Sequence, residues 1–328
     1  MSLTERPRRL RTSQAMRNLV AETTVVPSQL ILPTFIKEGL AEPKPVKGLP
    51  GVFQQTRESL LAQVDEAIAA GLGGIMLFGI PANRDEQGTE SCNPNGVLNQ
   101  AVAAVRERAG DKLVVVADLC LDEFTSHGHC GVLDGRGRVD NDATLALYAR
   151  MAVELAKAGA HMLGASGMMD GQVQVVREAL DAAGFTDVSV LAYSAKYASA
   201  FYGPFRDAVE SELEGDRRTY QQDPRNFTES MREVRLDVEQ GADIVMVKPA
   251  LSYLDVIRET AQSVDVPVAA YIVSGEMAMI ELAAEHGLFE RERAILEAVA
   301  SVRRAGANVI CTYWALELAQ MFYARKTL

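Results

Sequence analysis

The sequence predicts a closed (β/α)8 barrel of the TIM type, preceded by an N-terminal arm over residues 1–30. Three observations carry this. One helix-to-strand unit recurs along the chain, eight short dry runs stand at crossover spacing, and no strand is followed by a Gly-x-Gly-x-x-Gly turn. The recurring unit is clearest in "ELAKAGAHMLGAS" (154–166), "DVEQGADIVMVKP" (237–249) and "SVRRAGANVICTYW" (301–314), with "EAIAAGLGGIMLFGI" (66–80) close to it. Each passes from the end of an amphipathic helix, through glycine, into a strand. Gly71, Gly159, Gly241 and Gly306 fall where a helix C-terminus takes the left-handed conformation that glycine adopts most readily.

The expected strands, in order, are Ile31–Ile36, Gly74–Ile80, Leu113–Leu119, His161–Ala165, Val188–Ser194, Ile244–Val247, Val266–Val273 and Ala307–Thr312. They read as continuous apolar runs, the pattern of parallel strands covered on both faces. A helix is expected before the fourth, with Leu145, Ala149, Ala152, Val153 and Ala156 on its buried face. The main alternative is an open doubly wound sheet, which the missing glycine-rich turn disfavours. Residues 1–30 lie outside the barrel count, as a disordered tail or an arm packed on another subunit. Residues 31–328 form the catalytic barrel.

Composition narrows the function. The 328 residues are 48% hydrophobic, with no apolar run of membrane-span length. The basic N-terminus lacks the apolar core of a secretory signal, so a soluble cytoplasmic protein is expected. A net charge of −11, with no basic block beyond Arg6–Arg11, argues against nucleic acid as a partner. Four cysteines in such a chain suggest metal or catalysis before a disulfide framework.

In a barrel of this type, chemistry sits at the C-terminal ends of the strands. Those ends carry Asp118, Ser166, Lys196, Lys248, Ser274 and Tyr313. Lys248 is the unexpected one, because the dry run Ile244–Val247 leads straight into an amine. Lys196 ends the adjacent strand, about 5 Å away in a sheet. Burial and mutual repulsion both disfavour the charged form and leave a nucleophilic amine, fit to condense with a carbonyl as a Schiff base. A single lysine there would more simply reach out of the barrel mouth to solvent. Two on neighbouring strands favour a function.

The loop after Lys196 is long. It carries Tyr197, Phe201, Tyr202, Phe205 and Tyr220, and it reads as a lid over about 197–223. Arg206, Arg217 and Gln221 within it could hold a carboxylate, although exposed loop arginines are common. In "DLCLDEFTSHGHCG" (118–131), Cys120 and Asp122 point the same way on an extended segment. Cys130 can return to them through a turn at Gly128. Two thiolates and a carboxylate make a three-ligand zinc set with one open position. His127 and His129 could also ligate, but hydrogen bonding is the commoner role in such a loop.

Taken together, these stretches resemble the delta-aminolevulinic acid dehydratase family. The likeness runs from the arm through "ILPTFIKEG", "DLCLDEFTSHGHCG", "YSAKYASAFYGPFR", "MVKPALSYLD" and "YIVSGE" to "CTYWALELA", essentially the whole chain. It implies a barrel whose arm embraces a neighbour in a homo-octamer. It also implies condensation of two molecules of 5-aminolevulinate to porphobilinogen, in tetrapyrrole and haem synthesis. By the resemblance, Lys248 forms the Schiff base with the first substrate and Lys196 engages the second. Ser274 and Tyr313 hold the first carboxylate, Arg206, Arg217 and Gln221 the second, while Asp118 and Ser166 line the pocket. Glu233 matches a glutamate beside an allosteric magnesium; by itself it reads as a solvated helix residue. One family form binds catalytic zinc with three cysteines, and another replaces them with alanine and two aspartates. The set Cys120, Asp122 and Cys130 matches neither.

Two rival readings remain open to test. A class I aldolase would need one Schiff-base lysine and no cysteine loop. A non-catalytic barrel serving as an assembly partner would have amines of ordinary basicity that capture no ketone.

Overall fold

The computed structural model describes residues 3–325 apart from Glu214. Residues 1–2 of the expected arm, Glu214 in the expected lid and residues 326–328 of the expected barrel lie outside the described residues. Eight parallel strands form the barrel: β1 (Leu30–Lys37), β2 (Gly74–Ile80), β3 (Val114–Leu119), β4 (Met162–Ala165), β5 (Ser189–Lys196), β6 (Ile244–Lys248), β7 (Val268–Ile272) and β8 (Val309–Thr312). Each pairs with the next, and β8 returns to β1 through Leu30↔Ile310 and Ile31↔Cys311. That closure excludes the open sheet. A flap of two short strands, Lys44–Pro45 and Phe53–Gln55, is added beside the end of β1.

The surrounding helices are α1 (Arg57–Ala69), α2 (Val97–Ala109), α3 (Asn141–Lys157), α4 (Gln172–Ala182), α5 (Thr228–Glu239), α6 (Leu254–Ser263), α7 (Ser274–Glu285), α8 (Arg291–Ala305) and α9 (Ala315–Arg325). They cover the outer face of the strands while side chains fill the inner one, which is why the strands are dry on both sides. All of β2 is buried, for example. The four helix-ending glycines have positive φ, and at Gly306 a Cβ would also meet Ala261 at 2.5 Å.

Two expectations are corrected. Strand β5 extends past Ser194 to Lys196, because a register shift between Ala192 and Ala195 lets the chain keep pairing with β6. Helix α3 is present, but it buries Thr144, Tyr148, Met151, Ala152, Leu155 and Ala156, leaving Leu145, Ala149 and Val153 only half-buried. The face turns because the phenol of Tyr148 finds an acceptor inside, donating to the Cys130 carbonyl.

Before the barrel, Pro7–Arg11 form a 3-10 turn and Gln14–Leu19 a short helix, capped by Ser13 Oγ accepting from the Met16 N–H at 3.1 Å. Neither element has a buried residue, and Leu19 is 78% exposed. The segment has local structure without a core of its own in this chain.

Candidate active site

Strands β5 and β6 end in register, with Lys196 paired to Lys248. Both are buried, at 5% and 6% exposure. Lys196 Nζ donates to the Ser166 carbonyl at 2.5 Å, and Ser166 Oγ donates to Asp118 Oδ1 at 3.0 Å. One amine is thus tied to the ends of β3 and β4. The Lys248 amine instead stands among aromatic rings: Tyr271 at 4.3 Å, Tyr193 and Phe205 each at 5.2 Å, and Tyr202 at 5.5 Å to the ring centres. Ring faces favour a cation, but they return less than the lost water. Burial first, then repulsion from Lys196, lowers the Lys248 amine to about 8, against the pull of Asp118. Asp118 is itself raised to about 7, by burial and then by Asp122, with both lysines opposing.

The cysteine segment crosses this floor. One atom each of Cys120, Asp122 and Cys130 lies within 4.8 Å of the others, and all three residues are buried. Burial alone would raise the Cys130 thiol, yet the hydrogen bond from Cys120 and the Arg217 guanidinium bring it to about 7, while Cys120 is raised. A buried, partly ionised thiol pair with a carboxylate fits a metal ion that takes sulfur and oxygen. Asp122 also accepts from Arg217 Nη2 at 2.9 Å. Burial would raise its carboxyl, but Arg217 and then Lys196 hold it well below the usual range. The histidines stand aside from the set: His129 Nδ1 is bonded to the Tyr220 hydroxyl at 3.0 Å and His127 Nε2 to the Glu86 carbonyl at 3.2 Å.

Asp118, Asp122, Ser166, Lys196, Lys248, Arg206, Arg217 and Gln221 line one cleft under the loop after β5. Arg206 is exposed at its rim. Arg217 is half-buried and spends one nitrogen on Asp122 and on the Gly128 carbonyl, leaving its Nε and the Gln221 amide nitrogen without partners. Ser274 and Tyr313 are not among the lining residues. Ser274 Oγ accepts from the Phe205 N–H at 3.0 Å, and the Tyr313 hydroxyl accepts from Tyr271 at 3.2 Å, facing a separate cleft with Thr34 and Trp314. Glu233, on α5, lies in another hollow with Asp170, Glu229 and Gln221. It is half-buried rather than solvated; burial, then Asp237 and Asp170, raise its carboxyl to about 7.

Four residues of the site were missed: Tyr193 and Tyr271, which read only as members of dry runs, and two glutamates. Glu123 is buried with one oxygen unpartnered on the cleft wall. Glu276, wholly buried, accepts from the N–H groups of Leu251 at 2.6 Å, Val273 at 2.9 Å and Ala250 at 3.3 Å. It thereby joins the loop after Lys248 to the end of β7. A polar residue directly after a strand end, as in "YIVSGE", was the available signal.

A closed barrel with two buried lysines in register at its C-terminal mouth, one amine held at about 8, carries the groups that carbonyl chemistry by an enzyme requires. The particular family follows from comparison. The family model for delta-aminolevulinic acid dehydratase matches residues 4–321. Proteins of that name from Streptomyces coelicolor and Mycobacterium tuberculosis are 59% and 56% identical over 317 residues, 96% of this chain and of each relative. A crystal structure of the Toxoplasma gondii enzyme, in complex with the reaction product porphobilinogen, is 43% identical. It has a TM-score of 0.95 and covers 98% of this chain and 92% of that one. The chain belongs to the delta-aminolevulinic acid dehydratase family, and is a hydro-lyase of the porphobilinogen synthase type.

Proposed function

We propose that the chain condenses two molecules of 5-aminolevulinate to porphobilinogen with loss of two waters, through an imine on Lys248. The observation that carries this is the register pair of buried lysines, with only Lys248 free of a hydrogen-bond partner among its described contacts and ringed by aromatics. The neutral amine attacks the C4 ketone, water leaves, and the iminium acidifies the adjacent C–H bonds for carbon–carbon bond formation. Lys196, held by the Ser166 carbonyl, engages the second substrate, and Asp118 and Ser166 line the same cleft beside it.

The first substrate's carboxylate goes to Ser274 and Tyr313, with the Ser274 hydroxyl held by the Phe205 N–H. The second goes to Arg206, Arg217 and Gln221, which line the cleft; the Arg217 Nε and the Gln221 amide nitrogen have no hydrogen-bond partner. Cys120, Asp122 and Cys130 would hold zinc, which supplies Lewis-acid polarisation when bound. Glu233 would hold an allosteric magnesium. The exposed apolar residues of the arm support packing against a second copy, in an octamer working in the cytoplasm. Among the described residues no helix is long and apolar enough to cross a membrane. Borohydride reduction in the presence of 5-aminolevulinate, followed by peptide mapping, tests the reading. An adduct on Lys248 is expected, and labelling confined to surface lysines would overturn it.

A further inference from the structure

The closed loop after β5 leaves a cavity of about 20 Å³ beside the two lysines, roughly one water's worth of space. Two substrates therefore enter only if this loop lifts, and what holds it down controls access. Its helix, Gly203–Ala208, carries Phe205 over Lys248 and Arg206 at the rim of the cleft. A helix ends with carbonyls that have no partner of their own. Here three successive carbonyls, at and just past the helix end, are received by side chains of the flap and of the loop after β2. Gln54 Nε2 donates to the Ala208 carbonyl at 2.8 Å, Arg84 Nη2 to Val209 at 2.6 Å, and Arg84 Nη1 to Glu210 at 2.5 Å.

Glu210 then adds its side chain. Both carboxylate oxygens take the Lys37 amine at 2.6 Å, and one takes Lys44 at 3.1 Å. Its backbone stands at φ +52°, in the left-handed region a glutamate seldom adopts. The turn is thus held by its contacts against its own preference. Burial would raise the carboxyl, but Lys37, Lys44 and Gln54 outweigh it and hold it at about 2.

We infer that Glu210 and Arg84 are positioning residues that latch the substrate-covering loop to the ends of β1 and β2, setting Phe205 over Lys248 and Arg206 at the cleft rim without touching substrate. The inference rests on the reading of this loop as a lid in the proposed function. Lys37 and Gln54 complete the clamp, so Glu210 and Ala208 of the loop are each held from an element outside it.

The test uses the full enzyme with Glu210→Gln and Arg84→Met, measuring hydrogen exchange and tryptic cleavage in 197–223. Both should rise about ten-fold in each variant, as expected for loss of charge-assisted bonds from a closed–open equilibrium. KM should rise severalfold while the borohydride-trapped adduct on Lys248 forms at saturating substrate as before. A merely structural role would lower the melting temperature and the adduct together. Restoration of closure by the swap Lys37→Glu with Glu210→Lys would support the pairing. Unchanged exchange, cleavage and KM in both variants would overturn the latch. Absence of any trapped adduct in the unaltered enzyme would instead refute the lysine reading, and the exchange measurement decides the latch separately.

Discussion

Arg217 and Asp122 form an ion pair of 2.9 Å with side chains 10% and 4% exposed, so the loop after β5 and the candidate metal centre share one contact. Any change to that arginine therefore acts on two sites at once. Arg206, exposed at the rim, has no such link.

The two arginines should accordingly fail differently. Arg206→Leu is expected to raise KM while stability and metal content hold. Arg217→Leu should raise KM, lower metal affinity and cost about 3 kcal/mol of stability, because Asp122 is left buried and unpaired. Thermal unfolding beside metal analysis separates the pair; identical behaviour of the two variants would contradict the shared contact.

The pH dependence of imine formation should follow Lys248. Its amine titrates at about 8 and only the neutral form attacks. Trapping should therefore climb as pH rises toward 8 and level off above it. Lys196→Met removes the second cause of the lowering, so the rise should move to higher pH. A profile that stays put, or moves down, would show that Lys196 does not tune its neighbour. Lys248→Met should abolish activity and leave the barrel folded.

Metal content offers a third measurement. Purified under reducing conditions, the protein is expected to hold zinc that chelators remove, because thiolates disfavour magnesium. The double change Cys120→Ala, Cys130→Ala should lose both zinc and turnover. Full activity without zinc in that variant would remove the site from the reaction.

Glu233→Gln should weaken stimulation by magnesium and loosen the oligomer, as read by activity titration and sedimentation. Its acidic hollow shares Gln221 with the active cleft, which gives a short route between them. Neither effect appearing would leave Glu233 a half-buried helix residue.

Glu276→Ala should be the most damaging change away from the lysines. It strands the N–H groups of Ala250, Leu251 and Val273, at a cost of about 3 kcal/mol or more. Denaturant unfolding checks this, and a loss below about 1 kcal/mol would mean that water replaces the carboxylate.

The sequence by itself determined the strand count, the parallel order, the helix-ending glycines and the place of each lysine at a strand end. These depend on local composition and period: a dry run covered on both faces, a glycine where φ turns positive, a polar residue where the strand meets solvent. Only the tertiary structure decided what surrounds them. Tyr271 reaches Lys248 from β7 and Phe205 from the loop after β5, Arg217 spends itself on Asp122, and α3 turns to bury Tyr148. It also set Ser274 against Phe205 and Tyr313 against Tyr271, two residues whose rings flank Lys248. Such contacts join residues far apart in the chain, and their distances follow from barrel closure and side-chain direction, which periodicity along one segment does not encode.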